Sequence, residues 1–289
     1  MFNIKYGVNT CDHIHDELMV HLTYSCPNHC EFCIDKKNGP PKDDQISVRS
    51  IYKIIQEMKD KIRSVTISGG EPLMFLEQCL SLVKLIKLNC PNLKVSVITS
   101  LPRNVNIEML FDLLDLCDSM SISIMSYNMK IRESIFGTPY SHLDNMQLVK
   151  SLVPWQEKIT LSFNLIKGKF DTDADIYYNL NYFNRMGYTK FRLQELTNHE
   201  DLYVSIEDIL EKKLSGSPFS DGCLKELDEV YELLGPDFSG KVLVKRACFV
   251  VCNKNKATFR DLIKAATRKL RDNTFGVVYG NGELKPYWE

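Results

Sequence analysis

The stretch Met19-Val-His-Leu-Thr-Tyr-Ser-Cys26-Pro-Asn-His-Cys30-Glu-Phe-Cys33 decides how the chain is read. Met19 to Tyr24 is rich in strand-forming residues and reads as a first β-strand. Three thiols follow in one loop with the spacing C-x3-C-x2-C. Ligands so close together can wrap one iron–sulfur cluster and leave one iron without a protein ligand, as an open catalytic metal does for its substrate. A zinc site made of Cys26, His29, Cys30 and Cys33 is the rival reading. Three ligands in so short a loop would strain a tetrahedron, and zinc sites usually draw pairs from separated segments.

Outward from this loop, short apolar runs alternate with helical periodicity. Further strands are expected at Ser64–Ile67, Lys94–Ile98, Ser119–Ile124, Lys158–Ile166 and Thr189–Leu193. Helices are expected at Ser47–Ile62, Leu76–Lys87, Ile107–Leu116, Leu143–Leu152 and Asp173–Met186, the last closed by Gly187. Successive β-then-α units imply a parallel sheet, and a partial (β/α)6 TIM-type barrel over residues 1–204 is the natural closure. From Ser205 the pattern changes to helices at Ser205–Leu210 and Asp221–Leu234, a strand at Lys241–Cys252, a helix at Phe259–Leu270 and a hairpin turning at Asn281-Gly282. Residues 205–289 therefore read as a C-terminal α+β extension packing on the barrel.

Ligands of such folds gather where the strands end. Ser68-Gly69-Gly70-Glu71-Pro72 follows strand two, and its glycines allow close backbone approach. Alternation also sorts side chains between faces. Ser121 and Ser123 lie opposite Met120, Ile122 and Ile124; Ser162 and Asn164 lie opposite Leu161, Phe163 and Leu165; Arg192 and Gln194 lie opposite Phe191 and Leu193. A polar lumen is a poor core and a good ligand site, though a water-filled interior would look the same.

The cysteine spacing, Phe32 before the last cysteine and the Gly-Gly-Glu turn after strand two together resemble the radical S-adenosylmethionine (SAM) superfamily. The resemblance runs over roughly residues 17–195, the extent of the barrel pattern. It implies one [4Fe–4S] cluster on Cys26, Cys30 and Cys33, with SAM on the open iron. Reductive cleavage of SAM would then yield methionine and a 5′-deoxyadenosyl radical, with a flavodoxin or ferredoxin as electron donor. By the same resemblance, Phe32 lies against adenine, and the turn Gly69, Gly70, Glu71 and Pro72 meets the SAM amino group. Thr99, Ser100, Ser121, Ser123 and Asn164 sit where the family contacts ribose and carboxylate. Arg192 is expected at the SAM carboxylate or a substrate anion.

The overall size, the compact barrel and the tail Phe275-Gly-Val-Val-Tyr279…Trp288 look like the queuine lyase family. That likeness implies C–N cleavage of queuine to release 7-aminomethyl-7-deazaguanine, as in queuosine salvage. A 7-deazaguanine would be held by Gln194, Glu195 and Trp288, with Glu195 as the catalytic residue accepting two adjacent N–H groups. An Arg192–Glu195 pair bracing the rim is the plainer alternative. Two other readings stay open: a peptide-modifying radical SAM enzyme and a non-catalytic zinc-binding adaptor. An auxiliary cluster would draw on Cys223, Cys248 and Cys252, but along one strand Cys248 and Cys252 lie about 13 Å apart, too far for one small cluster. Cys11, Cys79, Cys90 and Cys117 read as structural.

Composition narrows the partners. A net charge of −1 gives no reason to expect duplex nucleic acid. No signal peptide and no apolar run of about 18 residues is present, so no membrane partner is expected and the cytoplasm is the expected compartment. There, ten cysteines point to free thiols or metal ligation and not to disulfides.

Overall fold

The computed structural model describes residues 17–33, 35, 45–138, 142–196, 199–204, 209, 224–227, 230–235, 238–245, 277–282 and 284–285. In chain order the strands are β1 (Glu17–His21), β2 (Ser64–Ser68), β3 (Lys94–Thr99), β4 (Ser119–Ser123), β5 (Ile159–Leu165), β6 (Lys190–Glu195), β7 (Leu224–Leu227), β8 (Val230–Gly235), β9 (Phe238–Lys245), β10 (Val277–Tyr279) and β11 (Leu284–Lys285). The helices are α1 (Val48–Met58), α2 (Leu76–Asn89), α3 (Ile107–Leu116), α4 (Met129–Phe136), α5 (His142–Ser151) and α6 (Asp173–Met186). The chain divides into two compact units, residues 12–123 with 269–289 and residues 1–11 with 124–268.

The first unit carries the cysteine loop. Its strands run β10-β1-β2-β3-β4 in parallel, with β11 antiparallel on β10. The register sets Leu18 beside Val65, Val20 beside Ile67, Val65 beside Val95, and Val97 beside Met120. All of these apolar side chains are buried, together with Ile51 and Ile55 of α1, Val83 and Ile86 of α2, and Leu110, Leu113 and Leu114 of α3. Each such side chain stabilises the fold by about 1.5–3 kcal/mol relative to exposure. The opposite face of the same strands is polar. Thr66 donates to Glu17, the Ser96 and Ser119 hydroxyls are 2.7 Å apart, and Ser121 lies beside Ile98. Ser47 caps α1, and Asn106 caps α3 by accepting from Met109 N–H at 3.1 Å.

In the second unit β5, β6 and β9 are parallel, and β8 and β7 extend them antiparallel. Phe163 of β5 packs against Phe170, Phe183 of α6 and Phe191 of β6, with ring centroids 5.8, 5.8 and 6.5 Å away. That cluster fixes the apolar face, so Ser162, Asn164, Arg192 and Gln194 share the other, with Ser162 beside Arg192 and Asn164 beside Gln194. A Thr172–Asp175 capping box starts α6, and Gly187 at φ 114° ends it.

Two features differ from the sequence reading. Helix α4 is additional, between Asn128 as N-cap and left-handed Gly137. The expected helix at Asp221–Leu234 is instead the β7–β8 hairpin, in which Leu227 opposes Val230 and β8 pairs along β9. A ladder offered by β9 outweighs a weak helical periodicity, as tertiary context often outweighs propensity. Within the expected C-terminal extension, β9 and β10 are parallel neighbours of β6 and β1. The expected hairpin at Asn281-Gly282 is present, with Gly282 at φ 85°. The expected helices at Ser205–Leu210 and Phe259–Leu270 fall almost wholly outside the described residues, as do Cys11, Cys223, Cys248, Cys252 and Trp288.

Candidate active site

Two loops meet where β1 and β2 end. Leu22 N–H donates to Ser68 O at 2.9 Å, Gly70 N–H to Thr23 O at 2.6 Å, and Glu71 N–H to Ser25 O at 2.9 Å. The Gly-Gly turn is thus laced by its backbone to the residues that lead into Cys26. Glycine is required at both positions. Gly69 has φ 132°, and a Cβ there would lie 2.6 Å from Thr23 O; a Cβ on Gly70 would lie 2.5 Å from Ser25 O and 2.7 Å from Tyr24 O.

Glu71 is fully buried, and four donors surround its carboxylate. Leu73 N–H and Thr99 Oγ1 donate to Oε1 at 3.0 and 2.6 Å. Ser100 N–H and Ser100 Oγ donate to Oε2 at 2.7 and 2.5 Å. Burial pushes this carboxyl up from its ordinary value, while the hydrogen bonds from Ser100, Thr99 and the Leu73 backbone oppose the shift without cancelling it. The hydroxyl protons of Thr99 and Ser100 therefore point at Glu71. Thr99 Oγ1 also accepts from Leu101 N–H at 2.9 Å, which holds Leu101 at φ 59°. Ser100 Oγ accepts from Asn28 Nδ2 at 2.8 Å, and Asn28 lies buried between Cys26 and Cys30.

A third tie closes the far end of the cysteine loop. His21 of β1 is wholly buried, and its Nε2 lies 3.0 Å from Asp35 Oδ2, just beyond Cys33. Its ring sits 4.2 Å from that of Tyr24 and 5.4 Å from that of Tyr279, and the two tyrosines stack within 5° of parallel. Sequence reasoning missed Asn28, His21, Asp35 and Tyr24 as parts of the site. The one visible signal was a histidine interrupting the otherwise apolar Met19–Leu22 stretch.

The structure thus ties the loop that carries Cys26, Cys30 and Cys33 to the turn Gly69, Gly70, Glu71 and Pro72, and that turn to Thr99 and Ser100. The three cysteines and Phe32 are half-buried and the cysteines are in no disulfide, whereas Cys79, Cys90 and Cys117 lie in the core. Burial pushes the Cys79 thiol far up, so it stays protonated. Among the described residues the buried Ser121 hydroxyl has no hydrogen-bond partner, and Ser123 is half-buried at the end of β4. In the second unit Asn164 is buried, while Arg192 and Gln194 are half-buried beside it on the polar face. Glu195 falls on the other side, in step with Phe191 and Leu193, and accepts from the Tyr203 hydroxyl at 3.3 Å.

These residues fit an iron–sulfur cluster with SAM. The donor set is three accessible thiols in one loop, the glycine cradle has no room for side chains, and Ser121 offers a buried hydroxyl without a protein partner. Among the described residues no three His, Cys, Asp or Glu side chains gather around a point as ligands of a single ion do. A four-iron cube takes its thiolates at separate corners and does not require that convergence.

The comparisons with known proteins bear on the fold and the family. The solved structure of SuiB from Streptococcus suis matches with a TM-score of 0.64 over 95% of this chain and 60% of its own, at 12% identity, and SuiB has also been solved bound to S-adenosylmethionine. A radical SAM methyltransferase from Sphaerobacter thermophilus matches with a TM-score of 0.53 over 67% of this chain and 60% of its own, at 17% identity. At such identities these likenesses bear on the fold, a partial radical SAM α/β barrel, and this chain spans about 60% of the length of either protein. No curated protein matches the chain by sequence. No described helix is long and apolar enough to cross a membrane. The model of the Radical SAM superfamily, whose members work with a [4Fe–4S] cluster and SAM, matches residues 20–180, more than half of the sequence, and the chain belongs to that superfamily.

Proposed function

We propose that this radical SAM enzyme cleaves a C–N bond in a small heterocyclic substrate, with queuine as substrate and 7-aminomethyl-7-deazaguanine as product. When bound, the cluster and SAM supply a 5′-deoxyadenosyl radical that takes a hydrogen atom from the substrate. Cys26, Cys30 and Cys33 would hold the iron, the backbone of Gly69 and Gly70 would admit the SAM amino group, and Ser121 would donate to its ribose or carboxylate. The observation that carries the substrate class is the polar row Ser162, Asn164, Arg192 and Gln194 on β5 and β6. It offers amide donors and acceptors and one cation, which suits a compact polar heterocycle. Because Glu195 lies on the opposite face with Tyr203, the reading of the heterocycle edge passes to Gln194, and Arg192 would meet the SAM carboxylate, since queuine carries no anionic group. A flavodoxin or ferredoxin supplies the electron.

Anaerobic reconstitution should give about four irons per chain, and alanine at Cys26, Cys30 or Cys33 should abolish it. The loaded enzyme, given SAM and dithionite, is then offered deazapurines, nucleosides and peptides, with products read by mass spectrometry. Formation of 5′-deoxyadenosine together with 7-aminomethyl-7-deazaguanine supports the reading. Gln194→Ala should raise the KM for queuine and leave uncoupled SAM cleavage unchanged. Queuine left intact while SAM is cleaved would remove the substrate assignment, and modification of a peptide would replace it.

A further inference from the structure

We propose that Ser100 is a positioning residue that sets the cysteine loop relative to the Gly-Gly-Glu turn. The inference rests on the reading of these loops as the cluster and SAM sites. The Ser100 hydroxyl links both. It donates to Glu71 Oε2 at 2.5 Å and accepts from Asn28 Nδ2 at 2.8 Å, across 72 residues of sequence. Its backbone N–H donates to the same Glu71 oxygen at 2.7 Å, so the residue cannot shift without breaking two bonds to a buried carboxylate. On the other side, Asn28 is 2% exposed and sits midway between Cys26 and Cys30. The turn that presents Ser100 is itself held, because Thr99 fixes Leu101 in the left-handed region.

The backbone bonds from Gly70 and Glu71 fasten only the lead into the loop, at Thr23 and Ser25. The segment between the first two cysteines is tied to the turn by the Asn28–Ser100 bond. Two loops that must present one iron and one cofactor to each other are therefore aligned through a chain of side chains, Glu71–Ser100–Asn28. A hydroxyl suits the middle of such a chain because it donates in one direction and accepts in the other.

The test uses the full-length chain with and without its cluster. In the apoprotein, Ser100→Ala should speed amide hydrogen exchange at residues 28–33 while exchange in α3 stays as in wild type. In the reconstituted protein, Ser100→Ala and Asn28→Ala should each weaken SAM binding about ten-fold and alter the change that SAM causes in the electron paramagnetic resonance spectrum of the reduced cluster. The double variant should be no worse than either single one, since both break the same link. Ser100→Thr, which keeps the hydroxyl and the N–H, should restore binding and spectrum. If Ser100→Ala leaves exchange in the loop unchanged, or if the two single losses multiply, the inference is overturned. Should the alanine variants take up no cluster, the exchange measurement alone decides. A wild-type chain that takes up no iron would overturn the cofactor reading, and this inference with it.

Discussion

At Glu71 a carboxylate with no solvent contact is surrounded by donors. Its partners keep it in place, yet burial still raises its pKa. A carboxyl whose pKa rises on folding adds stability below its unfolded value and loses it as the pH climbs through the folded value. The melting temperature of wild-type apoprotein, minus that of Glu71→Gln, should therefore fall as the pH is raised from about 4 towards neutrality. A difference that stays flat across that range would show that the buried carboxyl titrates like an exposed one. Much of this site was legible in the sequence, because Cys26, Cys30, Cys33, Gly69 and Gly70 act through local spacing and backbone freedom. What Glu71 does was not legible. Its partners Thr99 and Ser100 and, through Ser100, Asn28 come from two segments distant in sequence, and the pairing of β1 and β3 on either side of β2 brings them to it. The surroundings of Glu195 were harder to read: it ends β6 in step with Phe191 and Leu193, where a one-residue step along a strand changes the face, and Tyr203, which meets it, lies eight residues on.

Among the elements, those with strong periodicity and clear punctuation were placed closely. Helices α3 and α6 have the limits read from the sequence, because Asn106, Thr172 and Gly187 mark their ends. Helix α4 carried the same punctuation in Asn128 and Gly137, but its eight residues are too few for an apolar stripe to stand out. The β7–β8 hairpin went the other way, since leucines at Leu224, Leu227 and Leu234 imitate a helical face while the pairing is decided by β9. Caps such as that of α3 also make a measurable contribution. Asn106→Ala removes the acceptor for Met109 N–H and should destabilise the apoprotein by about 1 kcal/mol in urea unfolding, with an unchanged slope. A loss below a few tenths would mean that water replaces the cap at no cost.

In the whole molecule the first described strand and the last but one are neighbours. β10 lies along β1, Tyr279 covers His21, and the turn after it is packed tightly: Ser47 N–H donates to Gly280 O at 2.6 Å, and a Cβ on Gly280 would lie 2.3 Å from Leu22 O. Gly280→Val should lower the melting temperature of the apoprotein by several degrees and reduce the iron taken up per chain, since it pushes β10 off the strand that leads into the cysteines. Normal iron content in that variant would show that β10 is dispensable for the loop. This adjacency also has a consequence for biogenesis. At roughly 5–20 residues per second, β1 leaves the ribosome tens of seconds before β10 does. Throughout that interval the strand feeding the three thiols has an open edge of unpaired N–H and C=O groups. An iron-delivery protein acting during translation would meet this edge, whereas one acting after chain release would find it sealed.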